Sequence, residues 1–300
     1  MPRSTDHHGL EKVTPVVVVH GGAGGLTEEL REHAGDYHAA LERALAAGAE
    51  ALEEGGGAVE AVRAAVIVLE SVPLFNAGYG AALCTDGSVE LSASVMRGSD
   101  RAAGAVAMMT RTAHPVAAAV GLLDEPEVLL VGPSADAHAA ANGLDQRDPA
   151  EFVTERQLEK LAARQTGAPE TVGAVCLDAS GLLAAATSTG GLSAQRPGRV
   201  GDSPLIGAGT WADAHVAVSC TGQGEAFIRA GAARFVAALV QRGEQLGSAA
   251  DAAIEAVAEC GGTGGLIAVD AGGNVTMPRS TEAMPRGVWR HGQNPDTAVP

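Results

Sequence analysis

Four polar clusters punctuate the second half of this 300-residue chain. They are Thr171-Val172-Gly173-Ala174-Val175, Thr187-Ser188-Thr189-Gly190-Gly191, Gly198-Arg199-Val200-Gly201-Asp202-Ser203 and Thr221-Gly222-Gln223-Gly224-Glu225. A threonine hydroxyl is a poor nucleophile until a base sits beside it. The free amine of an N-terminal threonine is one such base. Thr171 lies in mid-sequence, so that chemistry requires the chain to cut itself immediately before Thr171. The product would be a hydrolase made from two pieces of one polypeptide. Taken singly, each residue has a plainer reading: Thr171 as a strand residue, His20 as a structural histidine, Arg199 and Asp202 as a surface ion pair. The ordered combination is what points to a site.

The elements that must position these residues can be read from hydrophobic periodicity. Val16–Val19 is a buried-strand signal running into His20-Gly21-Gly22-Ala23-Gly24-Gly25. Helical patterns cover 36–53 and 58–69, and 73–80 is a loop. Strand patterns follow at 89–96 and 104–109, a helix at 115–123, a strand at 128–131 and a helix at 134–142. A polar helix over 152–165 leads into a Gly/Pro linker, Thr166–Glu170. After the linker the pattern gives four strands in succession, at 172–177, 183–188, 205–211 and 215–220. Two alanine-rich helices follow, at 225–242 and 248–259, and then a hairpin of 266–270 and 274–277. The tail after Arg290 is expected to be disordered. Strands followed by paired helices and more strands suggest packed sheets with helices outside.

Composition narrows the class. A chain of this length can bury roughly three-quarters of its unfolded surface. Only 3% of residues are aromatic, so the core must be built from Ala, Val and Leu. The net charge of −16 argues against nucleic acid and anionic membranes as partners. Cys84, Cys176, Cys220 and Cys260 are far apart, without metal-site or disulfide-framework spacing. Met1–Thr14 lacks an apolar secretory core, and the apolar runs are too short to span a bilayer. These features lead us to expect a cytoplasmic protein. The His20 glycine loop would suit an α/β-hydrolase only with a GxSxG elbow, which the sequence lacks. Gly22–Thr27 and Gly222–Gly224 leave a dinucleotide fingerprint incomplete.

Six segments in this order carry a resemblance. They are His20-Gly-Gly-Ala-Gly, Pro73-Leu-Phe-Asn-Ala-Gly-Tyr-Gly, Thr171-Val-Gly-Ala-Val, Ala186-Thr-Ser-Thr-Gly-Gly, Gly198-Arg-Val-Gly-Asp-Ser-Pro and Thr221-Gly-Gln-Gly-Glu. Together they resemble the plant-type L-asparaginase and isoaspartyl (β-aspartyl) peptidase family of N-terminal-nucleophile (Ntn) hydrolases, from about residue 16 to about residue 285. The resemblance implies a four-layer αββα sandwich. It implies self-cleavage between Glu170 and Thr171 into an α subunit (1–170) and a β subunit (171–300), with a homodimer of αβ units as the mature form.

The resemblance also implies roles. Thr171 would be the nucleophile, Thr189 the residue that orients it, and the Thr221 hydroxyl with the Gly222 N–H the oxyanion donors. The substrate is a small amino acid or dipeptide with a free α-carboxylate and α-ammonium. A planar guanidinium suits the carboxylate, which falls to Arg199. Asp202 and the Gly224 carbonyl would take the ammonium, with Asn76 nearby. No organic cofactor is implied. The backbone carbonyls of Leu69–Phe75 resemble a loop that holds a structural sodium ion.

Three positions depart from the family pattern: Glu170 where glycine is usual, Ser92 where aspartate is usual, and Thr263 where an acidic residue is common. Glycine tolerates a strained backbone better than glutamate does, so Glu170 bears on the rate of self-cleavage. Two rivals follow, a glycosylasparaginase and an uncleaved homologue that serves as a binding or scaffold protein.

Overall fold

The structure, a computed structural model, describes residues 13–163 and 171–300. The expected linker Thr166–Glu170, and with it the Glu170 side of the cleavage site, lies outside the described residues.

The strands are β1 (Val16–His20), β2 (Leu91–Arg97), β3 (Ala103–Met109), β4 (Leu129–Val131), β5 (Val172–Leu177), β6 (Leu183–Thr189), β7 (Thr210–Ala212), β8 (Val216–Gly222), β9 (Gly264–Asp270), β10 (Val275–Thr276), β11 (Arg286–Arg290) and β12 (Asp296–Ala298). The α-helices are α1 (Glu28–Glu32), α2 (Ala34–Glu53), α3 (Ala58–Glu70), α4 (Pro115–Val120), α5 (Pro133–Ala141), α6 (Glu155–Ala162), α7 (Gly224–Ala230), α8 (Ala232–Gln241) and α9 (Leu246–Glu259). Among the described residues the strands form an eight-stranded sheet, β12-β11-β1-β5-β6-β2-β3-β4, and a four-stranded sheet, β10-β9-β8-β7.

Period-two patterning explains how four layers arise. Along β1, Val17 and Val19 join the core under α2 and α3, while Val16 and Val18 face the second sheet. Along β8, Val216, Val218 and Cys220 join the core under α8 and α9, and Ala217 faces the first sheet. Both sheets are thus covered on two faces, and the arrangement is the αββα sandwich of Ntn hydrolases. β5 lies in the middle of the large sheet, antiparallel to β1 on one side and β6 on the other. A residue at its head is held by two neighbouring strands.

Several expectations are corrected. Residues 205–209 are turn rather than strand, and only Thr210–Ala212 is extended. The chain reverses there through Leu205 N–H to Asp202 C=O and Gly207 N–H to Thr210 C=O, with Gly207 at φ +91. The helix expected over 225–242 is broken at Gly231, whose left-handed φ of +59 ends α7 and starts α8. The tail is not disordered: β12 pairs with β11, and Thr297 Oγ lies 2.7 Å from His38 Nδ1.

Close packing makes one glycine critical. A Cβ on Gly104 of β3 would strike the Ala119 carbonyl and Leu122 beneath α4. Gly104→Ala should therefore destabilise the fold by about 1–3 kcal/mol, read as a lower denaturant midpoint. An unchanged midpoint would show that α4 does not seat this tightly.

Candidate active site

Thr171 precedes β5 and is almost fully buried. Its Oγ donates to Thr189 Oγ across 3.2 Å. Thr189 ends β6, opposite Ser92 of β2, and its Oγ also accepts the Gly191 N–H at 3.0 Å. That 190–191 turn is built by Asn76. The Asn76 side chain donates to Gly191 C=O at 2.6 Å and accepts from Ala82 N–H at 2.6 Å. The Asn76 carbonyl takes the Gly190 N–H. Asn76 thus acts on the site through the turn.

From the helix side, Ser188 donates to buried Glu70 Oε1 at 2.6 Å, which also accepts the Val116 N–H. This pins β6 to α3 and α4.

Thr221 is fully buried near the end of β8. Its oxygen accepts the Ala23 N–H at 3.1 Å, so its own proton is left to donate elsewhere. Gly222 has φ +151, and a Cβ there would collide with Phe227 and the Thr263 backbone. Only glycine lets the main chain pass there. Gln223 N–H donates to Thr263 C=O, and its side chain accepts the Thr263 N–H. Thr263 therefore meets Gln223 through its backbone. Ser92 Oγ accepts the Met108 N–H at 3.3 Å, where β3 bulges and Met108 takes φ +56.

Arg199, Asp202 and Gly224 come together. A Cβ on Gly224 would lie 2.8 Å from Asp202 Oδ1 and 3.0 Å from Arg199 Nη2. Arg199 is gripped in bidentate fashion by Glu225 of α7, with Nε–Oε1 2.9 Å and Nη2–Oε2 3.0 Å. Its Nη1 reaches Gln195 Oε1 at 3.4 Å. Arg199 holds the Glu225 carboxyl below its usual range. Asp202 is buried, and its Oδ2 has no hydrogen-bond partner among the described residues. Burial pushes its carboxyl up to about 7, against the pull of its own turn's N–H groups and Arg199 and with a smaller push from Glu225. A buried, unpartnered carboxylate oxygen is costly unless a cation completes it.

His20 is fully buried, its Nε2 3.0 Å from Ser219 Oγ. Burial pushes the imidazole down to about 3, the Thr171 main chain pulling the other way. The ring is neutral.

The Leu69–Phe75 segment turns back on itself. A Cβ on Gly78 would strike the Glu70 carbonyl, and one on Gly80 the carbonyls of Phe75 and Pro73. Main-chain carbonyl oxygens are donors that suit a hard cation. The Pro73 carbonyl also takes a hydrogen bond from Arg156.

Sequence reasoning did not assign Glu225, Gln195, Glu70 or Ser188. Glu225 was visible as the last residue of the Thr221-Gly-Gln-Gly-Glu segment. Glu70 gave no signal, since a glutamate ending an amphipathic helix normally faces water.

Fold and site define an Ntn-type sandwich hydrolase. The family model described as asparaginase matches residues 13–169 and 162–299. The chain is 44% identical to an isoaspartyl peptidase of Salmonella typhimurium, over 95% of this chain and 98% of that protein. It is 43% identical to an isoaspartyl peptidase of Escherichia coli, over 95% of each. It is 38% identical to the isoaspartyl peptidase/L-asparaginase of Homo sapiens, over 94% of this chain and 95% of that protein. The chain belongs to the asparaginase family.

The grip on Arg199 makes a prediction. Glu225→Ala should free the guanidinium and raise KM for L-asparagine about tenfold, with kcat little changed, the signature of lost ground-state positioning. An unaltered KM would show that Arg199 holds its place without Glu225.

Proposed function

We propose that the protein hydrolyses the side-chain amide of L-asparagine and the isoaspartyl bond of β-aspartyl dipeptides, with Thr171 as nucleophile after self-cleavage at Glu170–Thr171. The observation that carries this reading is the Thr171 hydroxyl, buried at the head of a central strand and bonded to Thr189 Oγ. The relatives' names, isoaspartyl peptidase and isoaspartyl peptidase/L-asparaginase, support the two substrate classes.

The chemistry follows from the groups present. The α-amine of freed Thr171, with an ordinary pKa near 8, takes the proton of its own hydroxyl as Oγ attacks the side-chain carbonyl. The tetrahedral oxyanion is met by the Thr221 O–H, left free by the Ala23 bond, and by the Gly222 N–H. Each such donor contributes about 3 kcal/mol. The C–N bond breaks as the amine returns its proton to the leaving nitrogen, releasing ammonia or an amino acid. Water, deprotonated by the same amine, then cleaves the acyl ester and regenerates Thr171. Arg199 takes the substrate α-carboxylate and Asp202 the α-ammonium, assisted by the Gly224 carbonyl. This pair demands a free amino-acid end and excludes internal peptide bonds. Thr189 orients the nucleophile, and Asn76 positions Thr189 through Gly191.

The backbone carbonyls of Leu69–Phe75 would hold a sodium ion, which would supply fixed positive charge to that segment. No organic cofactor enters the reaction. The mature form is a homodimer of αβ units, with no nucleic-acid or membrane partner. Among the described residues no helix is long and apolar enough to cross a membrane. The unpaired thiols of Cys84, Cys176, Cys220 and Cys260 suit a reducing cytoplasm.

Denaturing mass spectrometry of purified protein should give two chains broken at Glu170–Thr171, and Thr171→Ala should give one chain without turnover. An intact wild-type chain that still hydrolyses isoaspartyl peptides would overturn the mechanism and favour no self-cleavage.

The Asp202 carboxyl also sets a pH dependence. Its folded pKa of about 7 lies above the ordinary carboxyl value, so it is protonated below that pH and cannot pair with an ammonium. The Thr171 α-amine, with its ordinary pKa near 8, must also be neutral to act as base, so kcat/KM should fall about tenfold per pH unit just below pH ~8 and about a hundredfold per unit below pH ~7, where Asp202 protonates as well. Asp202→Asn removes one of the two titrating groups, so the variant should keep a limb of about tenfold per unit throughout. A wild-type limb no steeper than the variant's below pH ~7 would contradict the assignment.

A further inference from the structure

Five polar side chains outside the residues assigned above are sealed between the two sheets: His20, Ser94, Thr187, Thr210 and Ser219, all at 0% exposure. They form one continuous chain. Ser94 Oγ lies 2.6 Å from Ser203 C=O and 2.7 Å from Thr210 Oγ. Thr210 Oγ lies 2.6 Å from Thr187 Oγ, and Thr187 Oγ lies 2.7 Å from Ser219 Oγ. Ser219 Oγ meets His20 Nε2 at 3.0 Å.

The Ser203 carbonyl has no proton to give, so Ser94 donates to it. Two main-chain carbonyls flank the chain: Thr187 Oγ also lies 3.3 Å from the Gly209 carbonyl and Thr210 Oγ 3.4 Å from the Ser203 carbonyl. The chain thus connects the His20 ring, beside the Thr171 main chain, to the carbonyl of Ser203.

The far end matters because of what Asp202 lacks. Among the described residues no side chain hydrogen-bonds its carboxylate; the N–H groups of Asp202 and Ser203 orient it. The Ser94 bond to the Ser203 carbonyl anchors that turn to β2.

We propose that Ser94, Thr210, Thr187 and Ser219 form a positioning chain that fixes the ammonium-binding turn at Asp202–Ser203 against the strand that carries the nucleophile. Ser94 and Thr210 are then positioning residues for recognition of the substrate α-ammonium. This rests on the reading of Asp202 as the ammonium site.

The test uses the mature enzyme and two competitive inhibitors, L-aspartate and succinate, which differ only in the α-ammonium. Thr210→Val keeps the shape and removes the hydroxyl; Thr210→Ser keeps the hydroxyl. Thr210→Val should weaken L-aspartate about tenfold, the scale of one hydrogen bond, and succinate less than twofold, with kcat for L-asparagine changed less than KM. Thr210→Ser should restore the wild-type ratio. Ser94→Ala reports the same ratio should Thr210→Val fail to fold. Equal weakening of both inhibitors, or no change in either, would overturn the proposal. Asp202→Asn separates the two readings: if it leaves the ratio unchanged, the ammonium site itself is misassigned and the proposal falls with it. If it shifts the ratio while Thr210→Val does not, only the positioning chain is refuted.

Discussion

Side chains sealed between two sheets have no water to turn to, so every polar group placed there must find a partner inside the protein. The layer between these sheets divides in two. At one end it is apolar, with Val16, Val18, Val175, Leu177, Ile267 and Val269 locking the sheets together. At the other end it holds His20, Ser94, Thr187, Thr210 and Ser219. A one-residue slip of any strand would turn these groups out of reach and push the apolar ones the wrong way. Satisfying the polar end therefore fixes strand register. Register brings Thr171 to Thr189, and the Ala23 loop to Thr221. The close fit shows at Gly173, where a Cβ would strike Ser219 Oγ and His20 Nε2.

Against this hydrogen-bonded layer, the substrate site is incomplete. Asp202 keeps one oxygen without a partner among the described residues, and burial raises its carboxyl to about 7. A folded-state carboxyl raised in this way contributes stability when protonated, and that contribution is lost as pH rises through the raised value. An arriving ammonium removes the deficit and so gains affinity from it. Arg199 is the counterpart. Its orientation is settled in advance by Glu225, so less rotamer freedom is lost on binding.

Much of this was legible in the sequence, for physical reasons. Long apolar runs such as Val16–Val19 and 172–177 announce buried strands, and the order of strands and paired helices suggests packed sheets with helices outside, while the four-layer αββα form came with the family resemblance. What escaped was set by tertiary contacts. Residues 205–209 have strand-like composition, but Gly207 and the bonds to Asp202 and Thr210 turn them. Gly231 breaks a helix that periodicity would continue, because its left-handed backbone starts α8 in a new direction. The tail looks polar and loose, yet β11 offers it an edge. In the site, Thr171, Thr189, Arg199, Asp202 and Thr221 stood out by their order along the chain. Ser94, Thr187, Thr210 and Ser219 did not, because each alone resembles an ordinary strand residue. Their meaning appears only when register sets β2, β6, β7 and β8 side by side.

The central claim is that the Thr171 hydroxyl carries the acyl group. Acid-quenching the enzyme during turnover of L-asparagine, followed by peptide mapping, tests it most directly. The account predicts a β-aspartyl ester on the peptide that begins with Thr171, absent when substrate is omitted. An adduct on any other residue, or turnover at full rate with no covalent adduct at any quench time, would contradict it.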